Sequence, residues 1–421
     1  MATDVDVQYF SHLNGLTLGN NWGDLIRLLD KALVTGIDFT QITSASIDAQ
    51  GDVHITLYAA HNAMLLQVVE LLDFAPSSLN QKYRIKGVPS ATELILKPKT
   101  AITETSITTV GAGKLAPLGY EIIFRDTNDV KRVYRAKNPT AQHPYIRIDE
   151  SLTSPDGTTG VYTPTYAKYA MVGLLEHMEH IDDYENPDVQ QLPFDPANPA
   201  KNWKITGTGT GVVRGWSRWY WGHLAGINSN SSDIYSGNGG GFTLVGDKDA
   251  FYVQLNRNNG NTEKNIIGCG IYNPSLQVEL PWFLMSTLTS NTAGTGYALY
   301  NIVGALPLVY SDNASRFFTP RVDLLGASLQ AHTLAKPITP DTSYRMQAIY
   351  GATQIAPLEF PFSDTEGYLR GVLKHIHYAG GSLRPSQTTP HLSDSSMYVC
   401  DSLFIASGNN SATLYYLGEL E

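Results

Sequence analysis

The residue types best suited to chemistry are concentrated in GTGTGVVRGWSRWYW, positions 207–221. Gly207, Gly209 and Gly211 form a GxGxG pattern, and such glycines can cradle a phosphate when a helix follows them. Val212, however, stands where a dinucleotide-binding fingerprint needs its spaced third glycine, and no GK[ST] motif follows. A turn or bulge that feeds a strand is therefore the better interpretation of these glycines.

Four aromatic residues follow the glycines. On a strand, Trp219 and Trp221 share one face, and Tyr220 shares the other face with Trp216. An exposed aromatic face is a platform for sugar rings, whereas a buried one is core or subunit interface. Because large aromatic side chains are usually mostly buried, the sequence favours core or interface packing and keeps glycan binding as the alternative.

Two pairs of histidines have spacings that metal sites use. His177 and His180 could share a metal only on a helix, but the surrounding LLEHMEHID is typical of a strand and contains neither HExxH nor HxxEH. His375 and His377 share a strand face, but the sequence indicates no third ligand. GxSxG is absent, and no carboxylate pair stands out as a glycosidase pair. The sequence therefore predicts no catalytic residues, no metal and no cofactor.

Composition narrows the class of protein. A chain of 421 residues exceeds the usual single core, so two or three domains are expected. The net charge of -10 argues against direct nucleic-acid binding, because that requires a clustered basic field. Only 16% of residues are charged, against about 25% in an average domain. Such a balance is typical of β-rich proteins whose surfaces pack against partners or meet an extracellular medium.

Cysteines and apolar runs indicate the compartment. Cys269 and Cys400 are too few for a disulfide framework and are predicted to be free, buried thiols. The N-terminus MATDVDVQYFSHLNG has no basic region followed by an apolar run, and apolar stretches such as 280–285 are too short to cross a bilayer. We expect a soluble protein, made in a cytoplasm and without a membrane partner.

The first element that could position these residues is a helix over residues 22–36. Arg27 and Asp30 lie off its apolar stripe, and Gly36 is expected to end it. The stripe consists of Leu25, Leu28, Leu29, Ala32 and Leu33.

Strand patterns follow the helix. Alternating apolar residues on both sides of Gly51 predict a hairpin, and the runs 83–88 and 93–97 predict two more strands. The segment AMLLQVVELLDFAPSSLN is ambiguous, because its polar residues recur every three positions while its short apolar runs are also typical of strands.

Beyond residue 100, apolar runs separated by Asn, Asp, Gly and Pro turns predict antiparallel sheets. We predict a mainly β fold with a short N-terminal helix: a small N-terminal α+β domain followed by antiparallel β-sandwich-like domains. The expected division is 1–100, 101–200 and 201–421, the last with a long inserted region at about 273–364.

Nine short stretches of the chain occur in the same order as the motifs of a known family. They are LIRLLDKALVTG (25–36), AH (60–61), SLN (78–80) followed by YRI (83–85), LAPLGYE (115–121), VYR (133–135), YIRID (145–149), VGDKDAFY (245–252) and LRGVL (369–373). Together they resemble a family of virion structural proteins of tailed bacteriophages. The last stretch departs from the family pattern RGxLPGLY, because Lys374 and His375 stand where the family has Pro-Gly.

The resemblance implies a particle component without catalytic residues, assembled in several copies through its N-terminal region. Leu25, Leu28, Leu29 and Leu33 are the expected assembly helix. The expected partners are other virion proteins and further copies of the chain, with a host-surface glycan as the alternative ligand. The expected place is the virion, in the tail or baseplate or as an external capsid, collar or whisker component.

Overall fold

The structure is a computed structural model of the chain. The residues it describes form a mainly β protein with a helix near the N-terminus and large antiparallel sheets, as the sequence predicts. None of the described helices is long and apolar enough to cross a membrane. The described residues are 3–19, 21–152, 160, 168–206, 213–215, 217–221, 241–256, 264–278, 280–286, 317–322, 329–338, 356–380, 390–406 and 409–421.

The predicted N-terminal helix is present and has two parts. After a short strand, β1 (Gln8–Ser11), the α-helix α1 (Asp24–Leu29) continues directly into a π-helical segment (Asp30–Thr35). Gly36 ends the helix as predicted, at φ +74°, a left-handed conformation that favours glycine. The remaining helical pieces are 3₁₀ turns at His12–Asn14, Ser77–Leu79 and Pro199–Asn202.

The first sheet has seven strands. They are β2 (Ile37–Asp38), β3 (Ile42–Ile47), β4 (Val53–Leu57), β5 (Val68–Leu72), β6 (Lys82–Ser90), β7 (Glu93–Pro98) and β8 (Ala112–Leu115). They pair antiparallel in the order β2-β8-β5-β6-β7-β4-β3. The predicted hairpin is β3–β4, with Ile47 opposite Val53 and Gly51 at φ +79°. The predicted strands at 83–88 and 93–97 are parts of β6 and β7.

The segment that was ambiguous in the sequence forms β5, an interior strand between β6 and β8. Val69 and Leu71 are buried on one face; on the other face Val68 is buried, Glu70 is half-buried and Leu72 is exposed. Glu70 lies 3.5 Å from the ammonium group of Lys114 on β8. Because Val68 and Leu72 are apolar on the more exposed face, the sequence lacks the polar–apolar alternation that would identify the strand.

The second sheet collects strands from the middle of the chain. Its order is β13-β12-β11-β10-β9, with β16 also paired to β12, and β14 and β15 form a separate pair. The strands are β9 (Tyr120–Arg125), β10 (Lys131–Ala136), β11 (Tyr145–Asp149), β12 (Tyr169–Leu175), β13 (Gln191–Leu192), β14 (Ile205–Thr206), β15 (Val213–Arg214) and β16 (Arg218–Tyr220).

The third sheet has thirteen strands in the order β1-β17-β18-β19-β21-β22-β23-β24-β25-β28-β27-β26, with β20 paired to β25. The described parts of the predicted insertion 273–364 form β20 to β24; the rest of it lies outside the described residues. The strands are β17 (Phe242–Gly246), β18 (Ala250–Asn256), β19 (Lys264–Ile271), β20 (Asn273–Pro274), β21 (Trp282–Met285), β22 (Phe317–Pro320), β23 (His332–Pro337), β24 (Ala356–Asp364), β25 (Leu369–Gly380), β26 (His391–Ser393), β27 (Ser396–Ala406) and β28 (Asn409–Glu419).

The third sheet folds over itself, so that β17–β19 face β27 and β28. Tyr252 of β18 stacks on Phe283 of β21 and lies 6.4 Å, ring centre to ring centre, from Tyr415 of β28. On the same strand, Gln254 donates to the Ser402 carbonyl oxygen and accepts a 2.8 Å hydrogen bond from the Tyr415 hydroxyl. Two layers closed over an apolar interior make a β-sandwich, as predicted.

One hydrophobic core connects the helix to all three sheets. It includes Leu29 of α1, Ile55 of the first sheet, Val172 of the second and Phe251 of the third. The sheets also extend past the predicted domain boundaries at residues 100 and 200. Strand β8 follows residue 100 but belongs to the first sheet, and β16 follows residue 200 but belongs to the second. The division into domains at those positions stays a prediction.

Strand β1 joins the first sheet to the third. Its backbone pairs with β17, while the Gln8 side chain turns to the first sheet. Gln8 Nε2 donates to the carbonyl oxygens of Val68 (2.8 Å) and Ala116 (2.9 Å), and Gln8 Oε1 accepts from the Val68 N–H. The Gln8 side-chain amide thus bonds to β5 and to the segment that follows β8, as a backbone amide of a neighbouring strand would.

Arg84, on β6, holds the two ends of the chain together. Its fully buried guanidinium donates five hydrogen bonds, all to backbone carbonyl oxygens. Burial lowers the pKa of Arg84 to about 10, which leaves it charged at neutral pH. The acceptors are Asp4 (2.9 and 2.6 Å), Val7 (3.0 Å), Leu66 (2.8 Å) and Leu417 (2.9 Å).

The chain termini also bond to each other. The Asp4 N–H donates to the Glu419 carbonyl oxygen, and the Glu419 N–H donates to Asp4 Oδ2, both at 2.9 Å. The Thr3 hydroxyl donates to the Glu421 carbonyl oxygen at 3.1 Å. The N-terminal segment therefore lies between the last strand and the first sheet.

Replacement of Arg84 by Met should destabilise the protein by about 3–5 kcal/mol, because it removes five hydrogen bonds at a buried point. Arg84→Lys keeps the charge and three donors and should cost less. Urea unfolding measures both changes, and hydrogen exchange should accelerate in residues 3–8. Arg321→Met, at an exposed arginine, is the control and should change stability by less than about 0.5 kcal/mol. Equal stability of Arg84→Met and wild type would refute the role of Arg84.

Candidate functional site

Strand β16 carries the aromatic residues that the sequence analysis singled out, beside β12. Trp219 lies opposite Ala170 in the ladder and is fully buried. Its ring meets Phe251 edge to face, with centroids 6.0 Å apart. Trp219 is therefore a core residue, and in this conformation it cannot stack on a sugar.

The other aromatic residues differ in how they are placed. Tyr220 is described by its backbone, which pairs with Tyr169 of β12. Trp216 and the glycine-rich residues 207–212 lie outside the described residues. Trp221 is half-buried, just after the end of β16, and its backbone N–H donates to the Lys168 carbonyl oxygen at 3.1 Å.

Trp221 contacts Trp22, which in turn contacts the fully buried Tyr169; we call this group the Trp22–Trp221 corner. The two indoles meet edge to face at 6.1 Å, and Trp22 meets Tyr169 in the same way at 6.4 Å. The ammonium group of Lys168 lies 5.6 Å from the Trp22 ring centre, within cation–π range. Both indoles are partly exposed, so this corner keeps aromatic faces near the surface.

The leucines proposed as an assembly surface lie inside the chain's own core. An apolar helix face gains most by packing on the apolar surface nearest to it, and here that surface is the chain's own sheets. The exposed residues of this helix include Arg27 and Lys31. The buried side chains are Leu25, Leu28, Leu29 and Leu33.

The helix is fastened to the second sheet by Asp30 at the start of its π-helical segment. Asp30 Oδ1 accepts a 2.8 Å hydrogen bond from the Tyr134 hydroxyl. Asp30 Oδ2 lies 3.2 Å from Nε of the buried Arg132 and 3.2 Å from an Arg125 nitrogen. Two separate stretches that carry the family resemblance, 25–36 and 133–135, thus contact each other.

Glu150 fixes the beginning of the same helix. Its carboxyl group, fully buried, accepts hydrogen bonds from the backbone N–H groups of Gly23 and Ile26, the latter at 2.8 Å. These donors are otherwise unsatisfied at a helix N-terminus. Burial raises the pKa of Glu150 to about 8, although both hydrogen bonds favour the charged form.

A group of five ionisable side chains lies where the second sheet meets the third; we call it the Asp249 junction. It contains Asp247 and Asp249 from the turn between β17 and β18, His143 before β11, and Lys374 and His375 from β25. Asp249 Oδ1 lies 2.9 Å from His143 Nε2, and Asp249 Oδ2 lies 2.6 Å from the Lys374 ammonium nitrogen. Asp247 Oδ2 lies 3.0 Å from His375 Nε2.

The hydrogen bonds at the Asp249 junction determine its chemistry. His143 Nδ1 accepts the Thr140 N–H at 2.9 Å, so the proton of neutral His143 is on Nε2 and is donated to Asp249. The bond from His143, with those from Lys248 and Lys374, holds the pKa of Asp249 far below its usual range. A permanently charged Asp249 cannot accept a proton from a substrate at neutral pH, and His143 has both ring nitrogens occupied.

The histidine pairs considered in the sequence fall into different settings. His177 and His180 lie in an exposed bend after β12. His375 has a left-handed φ of +62°, in the position where the resembling family has glycine, and faces Asp247. Burial, aided by His375, lowers the pKa of His377 to about 4, so His377 is neutral at pH 7.

Within the described parts of the chain, no three His, Cys, Asp or Glu side chains are arranged to hold a metal ion. Cys269 and Cys400 are both buried and unpaired. Burial raises the pKa of the Cys400 thiol to about 12 and that of Cys269 well above its usual value, which makes both unreactive at neutral pH.

The sequence analysis did not single out Arg84, Glu150 or Asp249. One signal was available: in a chain with 16% charged residues, each lies within or beside a strand-like apolar run. That signal indicates that a charged side chain is buried, but it does not indicate which residues the side chain contacts. His143 is 106 positions from Asp249, and Leu417 is 333 positions from Arg84.

Fold and site together define a mainly β protein whose ionisable groups join its sheets. No protein-family model and no curated protein matches the chain. Among solved structures, a phage phi92 endosialidase has a TM-score of 0.13 and 9% identity over 92% of this chain and 51% of that protein. The chain thus spans about half the length of that endosialidase. A likeness this slight carries no argument about fold or function.

The Glu150 carboxyl should make stability depend on pH. Its folded pKa, about 8, lies above the ordinary value of 4.5, so the folded state binds the proton more tightly. The resulting stabilisation is full below about pH 4.5 and is lost as the pH rises to about 8, by on the order of 4 kcal/mol. Glu150→Gln cannot titrate. In urea unfolding, the stability of wild type relative to Glu150→Gln should fall between pH 5 and pH 8; a constant difference would contradict this.

Asp249→Asn should loosen the contact between the second and third sheets, because it leaves His143 and Lys374 without their anion. We expect a loss of about 2–3 kcal/mol, the usual contribution of hydrogen bonds to a charged group. Hydrogen exchange should accelerate in residues 140–143 but not in the distant hairpin β3–β4. Asp188→Asn, at an exposed aspartate, is the control. Unchanged exchange at 140–143 would show that the ion pairs do not hold this contact.

Proposed function

We propose that the chain is a non-enzymatic structural subunit of a tailed-phage virion, in the tail or baseplate or as an external capsid, collar or whisker component. It acts through protein–protein contacts with other virion proteins and with further copies of itself. Its proposed localisation is the virion, after synthesis in a host cytoplasm.

One observation carries this proposal: the VGDKDAFY stretch that resembles the virion family is a structural hairpin. Its acidic residues form ion pairs instead of a free acid–base pair, because Asp247 contacts His375 and Asp249 contacts His143 and Lys374. Phe251, from the same stretch, packs on Trp219. The residues behind the resemblance thus hold sheets together, which is what a particle component requires.

The departure from the family pattern supports the same interpretation. Lys374 and His375 replace the family's Pro-Gly, and each contacts one of the two aspartates of the hairpin. His375 keeps a left-handed backbone, which costs a non-glycine residue about 1 kcal/mol. His375 Nε2 lies 3.0 Å from Asp247 Oδ2, so the altered turn still contributes to the Asp249 junction.

The proposal predicts that the chain is part of the finished particle. Mass spectrometry of gradient-purified particles, made by the genome that encodes the chain, should detect it in a constant ratio to the major capsid protein. Antibodies raised against the purified chain should label intact particles at one location. A chain found in the host lysate but absent from purified particles would overturn the proposal.

A host-surface glycan remains the alternative ligand, and the Trp22–Trp221 corner is the observation that favours it. Two partly exposed indoles at right angles, with a cation near one of them, can contact the apolar face of a sugar ring.

This alternative predicts that Trp221→Ala abolishes binding of the purified chain to a glycan array, whereas Tyr58→Ala, at an exposed tyrosine just after β4, leaves it intact. Absence of binding by wild type would eliminate the alternative. The structural proposal does not depend on this result.

A further inference from the structure

Strand β3 is an exposed edge of the first sheet. It pairs with β4 along one side and with no strand of the described structure along the other. Its six residues, ITSASI (Ile42–Ile47), include no charge and no proline. Thr43, Ser44 and Ser46 are exposed, whereas Ala45 and Ile47 pack against the core.

The other sheet edges of the described chain carry features that discourage pairing with a further strand. At the opposite edge of the first sheet, β2 has only two residues, and β26 at the end of the third sheet has three. Strand β9 contains Glu121 and Arg125 and lies against the π-helical segment. Proteins commonly use short length, charge, cover and β-bulges to protect edges. The one irregularity in β3 lies between Ile42 and Ser44, and the regular stretch from Ser44 to Ile47 has no such feature.

The hydrogen-bond pattern shows which backbone groups of β3 point outward. The Asp48 N–H donates to the Asp52 carbonyl oxygen, and hydrogen-bonded pairs alternate along an antiparallel ladder. Ser44 and Ser46 therefore direct their backbone groups toward β4. The N–H and C=O groups of Ala45 and Ile47 point away from the sheet, and no described residue bonds to them.

We infer that β3 pairs antiparallel with β3 of a second copy of the chain, about a twofold axis at Ser46. In this register Ala45 lies opposite Ile47 of the second copy, and Ile47 opposite its Ala45, so that four backbone hydrogen bonds form. Ser46 lies opposite Ser46 of the second copy. The two seven-stranded sheets become one continuous sheet across the dimer.

The absence of charged residues on β3 permits a second copy as the occupant. Each chain has a net charge of -10, so two copies repel each other across most surfaces. At β3 the contact is neutral, and Asp48 lies opposite Ser44 rather than another acid. A twofold contact requires a surface that complements itself, and this uncharged strip with its central serine does so.

The β3–β3 contact provides a specific surface for the assembly role proposed above. The inference that this contact forms does not depend on that role. The pairing could fail while the chain is still found in purified particles, and the chain could dimerise without being a virion protein. Particle composition and the oligomeric state of the purified chain are therefore separate measurements.

The test is a disulfide at the twofold axis. Residues opposite each other in a pair without hydrogen bonds have Cα atoms about 4.5 Å apart, which a disulfide can bridge. Ser46→Cys should therefore give a covalent dimer under mild oxidation of the full-length protein. The native thiols are buried and should contribute little.

Ser44→Cys is the matched control. It is equally exposed on the same strand, but in the inferred register Ser44 of the two copies lies four residues apart, roughly 13 Å, too far to bridge. Dimer from Ser46→Cys but not from Ser44→Cys supports the inference. Equal cross-linking of both variants, or none of either, overturns it.

Sedimentation equilibrium provides a second test that needs no new thiol. Ser46→Lys places two ammonium groups opposite each other and should raise the dimer dissociation constant about tenfold. Ser44→Lys places its charge opposite Asp48 of the second copy and should not weaken the dimer. A wild-type chain that stays monomeric at high micromolar concentration, or Lys variants with equal effects, would overturn the inference.

Discussion

The fold depends on one buried cation, the guanidinium group of Arg84. Its five hydrogen bonds reach the N-terminal segment, Leu66 in the segment before β5, and the last strand, so three parts of the chain meet at one side chain. All five acceptors are backbone carbonyl oxygens, and the nearby Asp4 and Asp6 also favour the charged guanidinium. A guanidinium suits the role, because its planar fork presents five donors in fixed directions. Lys at this position would offer three donors from a single atom.

Other buried or partly buried ionisable groups act in the same way at other contacts. Glu150 satisfies the N-terminus of α1, Asp30 fastens the helix to Arg132 and Tyr134, and Asp249 draws His143 and Lys374 together. Each joins elements that are distant in sequence. The chain has few charges, and several of them serve internal contacts, which leaves a surface rich in uncharged polar groups. That surface suits a protein that packs against neighbours, because uncharged groups cost less to desolvate than ions.

The stretches that resemble the virion family are joined in space. The helix stretch contacts the VYR stretch through Asp30 and Tyr134, and the VGDKDAFY hairpin contacts Lys374 and His375 at the end of the LRGVL stretch. Spatial contact explains how one stretch can change while the fold persists. At His375 a residue other than glycine keeps the left-handed backbone, and the partner of its side chain, Asp247, lies in another of the resembling stretches.

Local pattern was enough to predict the helix at 22–36, the β3–β4 hairpin and the mainly β class, because periodicity and turn residues act over a few positions. It left β5 ambiguous, since Val68 and Leu72 are apolar on its more exposed face and obscure the alternation. It also identified Trp219 and the leucine stripe as apolar, but not what covers them: the tertiary structure places both in the chain's own core. The tertiary structure alone assigned partners to Arg84, Glu150 and Asp249. The most distant partners lie 333 positions from Arg84, 127 from Glu150 and 125 from Asp249, and only the packing of three sheets around one core brings them within hydrogen-bond distance.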